Sequence, residues 1–438
     1  MRVLETVKTI IAEWKHFKPD PITRRNIEYA PYLETDEVLS IIGPRRSGKS
    51  YLCFQIMEDL KKKGVSADNL LYFNFEDERL LPYTGELLTC LYDAYLQLFA
   101  PTRGRRVYLF LDEIQNVPGW SKWTRRFLET HPGCKLVLTG SSSKLSSLEI
   151  ATELRGRTLS IVVFPFDFCE YLEKNNVPRP AKNVLYTEEK NRYAGLFNAY
   201  LFMGGFPKAI NHPRAEELLR EYFRTIFYKD IVERRKIKNI KLLEDFLSLA
   251  VDHTSTLASI SGISKKLEAI GHSFTKNTIS NFVRYAQDAF LVFNVAKHSF
   301  KVKEQLRANK KYYCIDNGLY SSIRFTFKED YGKFLENLVF LELARRGHEI
   351  YYHQEGHECD FVVKEKNAIV QAIQVCKTLE DEDTGKREVS GLLEAMKKFN
   401  IKTGLILTGG ENETIKLEGR TIRVLPAWYW CLSKPVFV

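Results

Sequence analysis

Residues 43–52 read "GPRRSGKSYL" and directly follow the apolar run "EVLSIIG" at 37–43. The two glycines, Lys49 and Ser50 have the spacing G-x-x-x-x-G-K-[ST] of a phosphate-binding loop that joins a strand to a helix. Glycines allow backbone N–H groups to point at a phosphate, the lysine can reach the β- and γ-phosphates, and the serine can ligate Mg²⁺. The stretch therefore predicts a nucleotide-binding α/β fold for the first part of the chain.

The expected cofactors are ATP and Mg²⁺, with Mg²⁺ on Ser50. The residues expected to line the nucleotide are Gly43, Pro44, Arg45, Arg46, Ser47, Gly48, Lys49, Ser50 and Tyr51. Phosphate chemistry gives the two arginines no task, so they could instead face a neighbouring subunit or a linker.

An acidic pair ends another apolar run, "RVYLFLDEI" at 106–114. Asp112 and Glu113 stand at the carboxyl end of this predicted strand, the edge at which open α/β sheets bind ligands. Asp112 is suited to the Mg²⁺ shell and Glu113 to polarising an attacking water. One strand, 69–76, separates this pair from the loop in the sequence, which favours the additional-strand class of P-loop ATPases over a nucleotide kinase.

Two later segments carry candidates for the same chemistry. In "LVLTGSSS", Ser141 or its neighbours Thr139 and Ser142 could contact the γ-phosphate or the water, or could simply cap the next helix. In "ELRGRTL", Arg155 and Arg157 could complete the site of a neighbouring subunit as an arginine finger, or could be surface residues.

Composition limits the class of protein. A chain of 438 residues with 44% hydrophobic residues supports roughly two to four domains. The apolar runs are far shorter than the ~20 residues of a membrane span, and the N-terminus has no signal-peptide pattern. Eight cysteines without a CxxC pair indicate reduced thiols, so we expect a cytoplasmic protein. The net charge of +10 suggests a polyanionic partner, although a plain basic surface explains it equally well.

Seven segments resemble, in order, an AAA+ ATPase family common in archaea and many bacteria, in which a winged helix and a nuclease-like domain follow the ATPase. They are "GPRRSGKS", "LYFNFEDERL", "LFLDEIQNVPGW", "LTGSSSKL", "LRGRT", "FPFDFCEYL" and "GGFP". The resemblance implies an AAA+ P-loop parallel sheet with a helical lid, followed by a winged helix and a restriction-endonuclease-like α/β domain. It also implies that "GGFPK" is the sensor-2 segment of the lid, which makes Lys208 a γ-phosphate contact in place of the usual arginine.

The hydrophobic pattern divides the chain in the same way. Five near-continuous apolar runs before residue 166 predict a parallel sheet covered on both faces. The predicted domains are 1–166 for the ATPase core, 167–240 for the lid, 241–310 for the winged helix-turn-helix, and 311–438 for the nuclease-like domain.

The segment 241–300 predicts a helix-turn-helix, with "TKNTISNFVRYAQDA" as its recognition helix. Its apolar residues recur at helical spacing and predict one buried face. The residues expected to reach DNA are Lys276, Asn277, Ser280, Asn281 and Arg284. The flanking basic stretches "ERRKIKNIK" and "KVKEQLRANKK" favour DNA, whereas a winged helix used only for protein contacts is the alternative.

In the last domain, "FLENLVFLELARRG", "HECDFVVKE" and "AIQVCK" resemble the PD-(D/E)XK nuclease core. Glu336 and Asp360 match its first two metal-ligand positions, but Gln374 stands where a carboxylate belongs and Cys376 where the catalytic lysine belongs. Lys377 should face away from Gln374 because side chains alternate along a strand. An amide is a poor Mg²⁺ ligand, so we expect a degenerate site that binds nucleic acid or a partner without cleaving it.

The sequence thus predicts a Mg²⁺-dependent AAA+ ATPase, an enzyme that forms a homo-oligomer, has no membrane contact and engages duplex or branched DNA. The alternative is an ATP-driven regulatory switch that binds a protein partner and never contacts DNA, and a third possibility is an active nuclease.

Overall fold

The computed structural model describes residues 2–102, 104–140, 154, 156–181, 183–324 and 330–433. The chain forms two compact units, Met1–Phe164 and Pro165–Val438. The first unit therefore ends close to the boundary predicted at residue 166. None of the described helices is both long enough and apolar enough to cross a bilayer.

The first unit is built on a five-stranded sheet in which every pairing is parallel. Its strands are β1 Val38–Ile42, β2 Leu70–Asn74, β3 Val107–Asp112, β4 Cys134–Gly140 and β5 Thr158–Val162. They lie in the order β2-β3-β4-β1-β5, so β4 separates the strand before the phosphate loop from the strand that carries the acidic pair. The predicted α/β fold with a parallel sheet is confirmed.

Helices accompany this sheet. They are α1 Arg2–His16, α2 Ala30–Glu34, α3 Lys49–Lys62, α4 Glu86–Leu98 and α5 Trp120–Thr130. Leu52 and Ile56 of α3 are fully buried against Leu39 and Ile41 of β1. This packing fixes α3 beneath the loop that precedes it.

The second unit begins with helices. They are α6 Phe168–Lys174, α7 Lys190–Met203 and α8 Ala215–Thr225, and a π-helical segment, Ile226–Glu233, continues α8. Next come α9 Ile240–Asp252, α10 Ile260–Ala269, α11 Lys276–Asp288 and α12 Val302–Arg307. The last four helices are α13 Asn317–Ile323, α14 Tyr331–Arg345, α15 Glu382–Lys398 and α16 Ala427–Leu432.

A nine-stranded sheet runs through this unit in the order β13-β14-β12-β11-β10-β9-β7-β8-β6. The strands are β6 Thr256–Ala258, β7 Val292–Lys297, β8 Lys310–Cys314, β9 Glu349–Gln354, β10 Glu358–Glu365, β11 Ala368–Val375, β12 Thr403–Thr408, β13 Glu413–Leu417 and β14 Arg420–Pro426. β7 pairs with β9 in parallel, between Ala296 and Tyr351. The domain boundary predicted at 310/311 therefore falls at the start of a strand that belongs to this continuous sheet.

The segment "GGFP" is held by close backbone packing. Gly204 has φ +78°, and a Cβ there would lie 2.2 Å from a carboxylate oxygen of Asp316. A Cβ on Gly205 would lie 2.2 Å from the carbonyl oxygen of Phe166, and the Gly205 N–H donates to Asp316 at 2.6 Å. The two glycines are thus required by the packing of the second unit.

Candidate functional site

The phosphate loop connects β1 to α3, which begins at Lys49. Gly48 has φ +98° and Arg46 has φ +67°, so the loop turns through two left-handed positions before the helix. Gly43 has φ +148°, and a Cβ there would lie 2.3 Å from the carbonyl oxygen of Val163, just beyond β5. Position 43 therefore requires glycine, because the Cβ of any other residue would collide with the Val163 backbone.

Lys49 lies buried beneath the loop, with 5% exposure. Its ammonium donates to the carbonyl oxygens of Gly43 at 3.2 Å and Pro44 at 3.0 Å. It is also 3.9 Å from a carboxylate oxygen of Glu113. The positive charge is therefore fixed where the loop and the acidic pair meet.

Asp112 is buried at the end of β3 and accepts hydrogen bonds from three hydroxyls. These belong to Ser50 at 2.6 Å, Tyr72 at 2.5 Å, and Thr139. Burial raises the pKa of Asp112, and the charge of Glu113 adds to this rise, whereas the three hydrogen bonds lower it. The structure thus brings together Ser50 and Asp112, the two residues expected to hold Mg²⁺, and adds two hydroxyls to the pair.

Glu113 follows in a left-handed conformation, φ +55°. Its N–H donates to the Thr139 hydroxyl at 3.1 Å, and the Gln115 amide donates to its carboxylate. The carboxylate held by these contacts lies 3.9 Å from the Lys49 ammonium. A carboxylate in this position can accept a hydrogen bond from a water molecule at the carboxyl edge of the sheet.

Arg45 forms an ion pair with Glu76, just beyond β2, at 3.2 Å. Burial raises the pKa of Glu76, with a further contribution from the charge of Glu113. Arg46 is exposed, and the Tyr51 ring lies 5.8 Å from the Phe54 ring within α3. Pro44 and Ser47 are buried inside the loop.

Arg25 also holds the loop, although sequence reasoning assigned it no role. Its guanidinium donates to the carbonyl oxygens of Ser47 and Phe164, each at 2.7 Å, and its N–H donates to Gln55 at 2.7 Å. The only signal in the sequence was an arginine pair in the arm before β1, which is too common to identify such a role.

The remaining candidates of the first unit are placed differently. Ser141 and Arg155 lie outside the described residues. Arg157 precedes β5 beside the start of β1, at the sheet edge opposite the phosphate loop, and pairs with Glu129 at 2.8 Å. Lys208 belongs to the second unit and is exposed in the turn after "GGFP".

The predicted recognition helix is α11. Its buried residues are Ile279, Phe282, Val283 and Ala286, as its periodicity predicted. Asn277, Ser280 and Arg284 are exposed, and Asn281, which is half-buried, accepts from Arg284 at 3.2 Å. Lys276 opens the helix, behind the capping hydroxyl of Thr275. The polar candidates with described side chains thus lie off the packed face.

Glu336 of α14 and Asp360 of β10 meet at a lysine that sequence reasoning counted in a basic stretch. Lys311 of β8 donates to Glu336 at 3.0 Å and to Asp360 at 2.7 Å, and is 2.6 Å from Glu358. Burial lowers the pKa of Lys311, but the charges of Asp360 and Glu336 outweigh it and hold that pKa well above its usual value. Burial raises the pKa of Glu336, against the opposing charge of Lys311.

Gln374 joins this cluster through its amide. It accepts from the Asp360 N–H at 3.2 Å and donates to Glu388. Cys376 is buried, and Lys377 is exposed with its ammonium 5.9 Å from the Tyr331 ring. Neither of these two side chains is among the residues that contact Asp360.

One further group of described residues has metal-binding geometry, namely His353, Glu355 and Glu394. Glu394 contacts His353 at 3.0 Å and the N–H of His357 at 2.9 Å, and Glu355 pairs with Lys398 at 2.8 Å. Their ligand atoms are therefore engaged by protein partners.

Comparison with known proteins gives the family. An AAA-domain family model matches residues 35–172, and two models of domains of unknown function, DUF8612 and DUF4143, match 194–330 and 331–430. An uncharacterized protein of Methanocaldococcus jannaschii is 34% identical over 95% of this chain and 92% of its own length. The chain therefore belongs to the same protein family as this Methanocaldococcus jannaschii protein.

A second member, from Haemophilus influenzae, is 30% identical over 93% of this chain and 98% of its own. Among solved structures, the Walker-type ATPase of Pyrococcus abyssi is similar at 15% identity, with 70% of this chain and 99% of that chain covered and a TM-score of 0.41. The AAA-domain match, which covers residues 35–172, includes both the phosphate loop and the acidic pair of this chain.

Proposed function

We propose that the protein is a Mg²⁺-dependent ATPase of the AAA+ type. The observation that carries this proposal is the meeting of Lys49, Ser50, Asp112 and Glu113 at one edge of the parallel sheet. Each residue type has a separate task in phosphoryl transfer to water, and a kinase would not need Glu113 in its place.

The donor set suits the metal that this chemistry needs. The Ser50 hydroxyl and the Asp112 carboxylate, 2.6 Å apart, are hard oxygen ligands of the kind Mg²⁺ prefers. When bound, Mg²⁺ neutralises charge on the β- and γ-phosphates. The chain's own part is to donate from Lys49 and the loop N–H groups to phosphate oxygens, and to orient a water with Glu113.

The change Glu113→Gln tests the hydrolytic role, because it preserves shape and removes the charge. We expect ATP binding to persist while hydrolysis falls by about 100-fold or more. Lys49→Ala should instead weaken binding of ATP itself. Hydrolysis at the wild-type rate in Glu113→Gln would reject the assignment.

We further propose that the sites act in a homo-oligomer. Arg157 lies at the sheet edge opposite the loop of its own chain, so any contact with a γ-phosphate has to be made on another copy. Arg157→Ala and Glu113→Gln should each abolish turnover alone. A mixture of the two variants should regain part of it, because some interfaces then combine an intact base with an intact arginine; no recovery on mixing would count against the role.

We propose DNA as the partner of the second unit. The order α9, β6, α10, α11, β7, α12, β8, with β6 and β7 antiparallel to β8, supports a winged helix. The exposed side of α11 carries Asn277, Ser280 and Arg284, and Lys301, Lys303 and Arg307 are exposed between β7 and β8. Hydrogen-bonding side chains flanked by cations suit base edges and phosphates.

Salt-dependent binding of the whole protein to duplex and branched DNA tests this part. Arg284→Ala should weaken binding and reduce the slope of log affinity against log salt by about 1. Arg214→Ala removes another exposed arginine of the same unit, from its pair with Glu217, and should leave the slope unchanged. If no DNA form bound at low salt, the regulatory switch with a protein partner would be the remaining proposal.

A further inference from the structure

The cluster around Lys311 is a buried set of charges in the second unit that the proposed function does not use. Lys311 is 2% exposed and comes from β8, whereas its two buried partners, Glu336 and Asp360, come from α14 and β10. One ammonium on β8 therefore bridges carboxylates from two other elements, α14 and β10. In sequence these residues are far apart, and only the fold brings them together.

The resemblance to nucleases implies a divalent cation on Glu336 and Asp360, and the surrounding contacts test that implication. Glu336 Oε1 already accepts from Lys311 at 3.0 Å and from the Tyr313 hydroxyl at 2.7 Å. Asp360 Oδ1 accepts from Lys311 at 2.7 Å, and Oδ2 from the Val375 N–H at 2.9 Å. Both carboxylates thus have protein donors on the atoms that face the cluster.

The charges lead to the same result. A buried carboxylate pair needs a compensating cation, and the Lys311 ammonium supplies one by contacting both partners. A divalent ion added beside it would meet a like charge at short range in a poorly screened interior. Gln374, at the third position, contributes a neutral amide, which suits a metal less than a carboxylate does. The residues present do not fit Mg²⁺.

We infer that the Lys311 ammonium is the resident cation of this cluster, and that the C-terminal part of the sheet works without a divalent metal. The lysine takes the place that a metal would occupy between a helix glutamate and a strand aspartate. The cluster is then a structural tie among β8, α14 and β10. This inference is independent of the proposed ATPase, whose metal ligands lie in the other unit.

Lys311→Met tests it, because the variant keeps the apolar stem and removes the charge. In the nucleotide-free, full-length protein we expect a lower Tm than wild type, since two buried carboxylates lose their cation. Mn²⁺ should then raise the Tm of the variant, and Mn²⁺ titration followed by electron paramagnetic resonance should show one more bound ion per chain than in wild type.

Lys364→Met is the matched control. Lys364 lies on β10 of the same sheet but forms an exposed pair with Glu349 at 3.1 Å, so its loss should create no Mn²⁺ dependence. Lys311→Met combined with Glu336→Gln and Asp360→Asn removes the three buried charges and leaves only Glu358, which is 34% exposed. That triple variant should regain stability without metal and lose the added Mn²⁺ site.

Two results would overturn the inference. One is Mn²⁺ binding by the wild-type protein that disappears in Asp360→Asn, which would show a metal on the cluster despite Lys311. The other is a folded Lys311→Met protein whose Tm does not change when Mn²⁺ is added and which binds no more Mn²⁺ than the wild-type protein. If Lys311→Met does not fold even with Mn²⁺, the comparison of wild type with Asp360→Asn decides, and equal Mn²⁺ binding supports the inference.

Discussion

At the scale of single residues, the AAA domain contains side chains that hold the candidate site in place, in addition to Lys49, Ser50, Asp112 and Glu113, which form it. Tyr72 of β2 donates a hydrogen bond to Asp112 of the neighbouring strand β3, and the Arg25 guanidinium donates one to the Ser47 carbonyl of the phosphate loop. Such residues do not meet a substrate directly. They determine the protonation state and position of those that do, so their replacement should have measurable and distinct effects.

Tyr72→Phe removes a donor that favours the ionised form of Asp112. The pKa of Asp112 is already raised by burial, and only the ionised carboxylate binds Mg²⁺, so the acid limb of Mg²⁺-dependent ATPase activity should lie above the usual range of an aspartate. Loss of the hydroxyl should move that limb to still higher pH and lower the free energy of unfolding by about 1 kcal/mol.

The measurement is the pH profile of kcat/KM at fixed Mg²⁺. Tyr108→Phe, on β3 of the same sheet, is the control and should leave the profile in place. A profile in Tyr72→Phe that coincides with wild type would show that the hydroxyl does not tune Asp112.

Arg25→Ala should destabilise the first unit. The guanidinium is 7% exposed and makes charge-assisted bonds to two backbone carbonyls, so its removal should lower the free energy of unfolding by about 3 kcal/mol. Arg24 is its neighbour, but it pairs with Asp59 while 45% exposed, so Arg24→Ala should cost about 1 kcal/mol or less. Denaturant unfolding monitored on both variants checks the difference, and equal losses would contradict it.

Sequence reasoning could name the residues that form the candidate site but not Tyr72 and Arg25, which support them. A short local pattern, either the loop spacing or the acidic end of a strand, is enough to recognise Lys49, Ser50, Asp112 and Glu113. Tyr72 is 40 residues from its partner Asp112, and Arg25 is 139 residues from Phe164, so no local pattern links them. Lys311 was misleading in a different way, since within "KVKEQLRANKK" a buried cation looks like its exposed neighbours.

At the scale of secondary-structure elements, apolar runs predicted the parallel strands well because burial on both faces leaves a continuous signal. The apolar pattern of 215–237 by itself favours one long helix, yet α8 ends at Thr225 and a π-helical segment follows to Glu233. The spacing of apolar residues does not separate an α-helix from a short π-helical segment. The two differ by less than one residue per turn, so over two turns nearly the same residues lie on the buried face. The glycines of "GGFP" were attributed by resemblance to the lid sensor, whereas their contacts with Asp316 and Phe166 became visible only in the fold.

Gly204→Ala is the corresponding prediction. The added methyl would meet the Asp316 carboxylate at a positive φ, so the free energy of unfolding of the second unit should fall by more than about 2 kcal/mol. Gly195→Ala, in the exposed middle of α7 with no atom near the new methyl, should instead raise it by about 0.5–1 kcal/mol. Thermal unfolding of both variants measures the contrast, and a tolerated Gly204→Ala would refute the packing argument.

At the scale of the whole molecule, the second unit is held together by a sheet that the domain predictions divided. The sequence analysis placed a boundary at 310/311, between the predicted winged helix-turn-helix and the predicted nuclease-like domain, because helical periodicity gives way to strand patterns there. The pairing of β7 with β9 and of β8 with β6 and β7 joins the two. Pairings between distant strands leave no local mark, so this joint was beyond sequence reasoning.

Truncation tests the joint. A chain of residues 165–438 should fold and stay monodisperse in size-exclusion chromatography, because it keeps the sheet whole. A chain of residues 165–310 lacks most of β8 and all of β9, so both edges of β7 are unpaired and the fragment should aggregate or be degraded. A stable, folded 165–310 fragment would show that the predicted boundary is real after all.

The continuous sheet also constrains how members of this family can diverge. A winged helix on a flexible tether can be exchanged for another by recombination, because no hydrogen bonds are severed at the junction. Here an incoming module would have to supply strands in register with β9, a match that unrelated modules rarely offer. On the proposed role in DNA binding, we therefore expect the preferred DNA target to change within this family through point substitutions on the exposed side of α11 and between β7 and β8, while the sheet itself is kept.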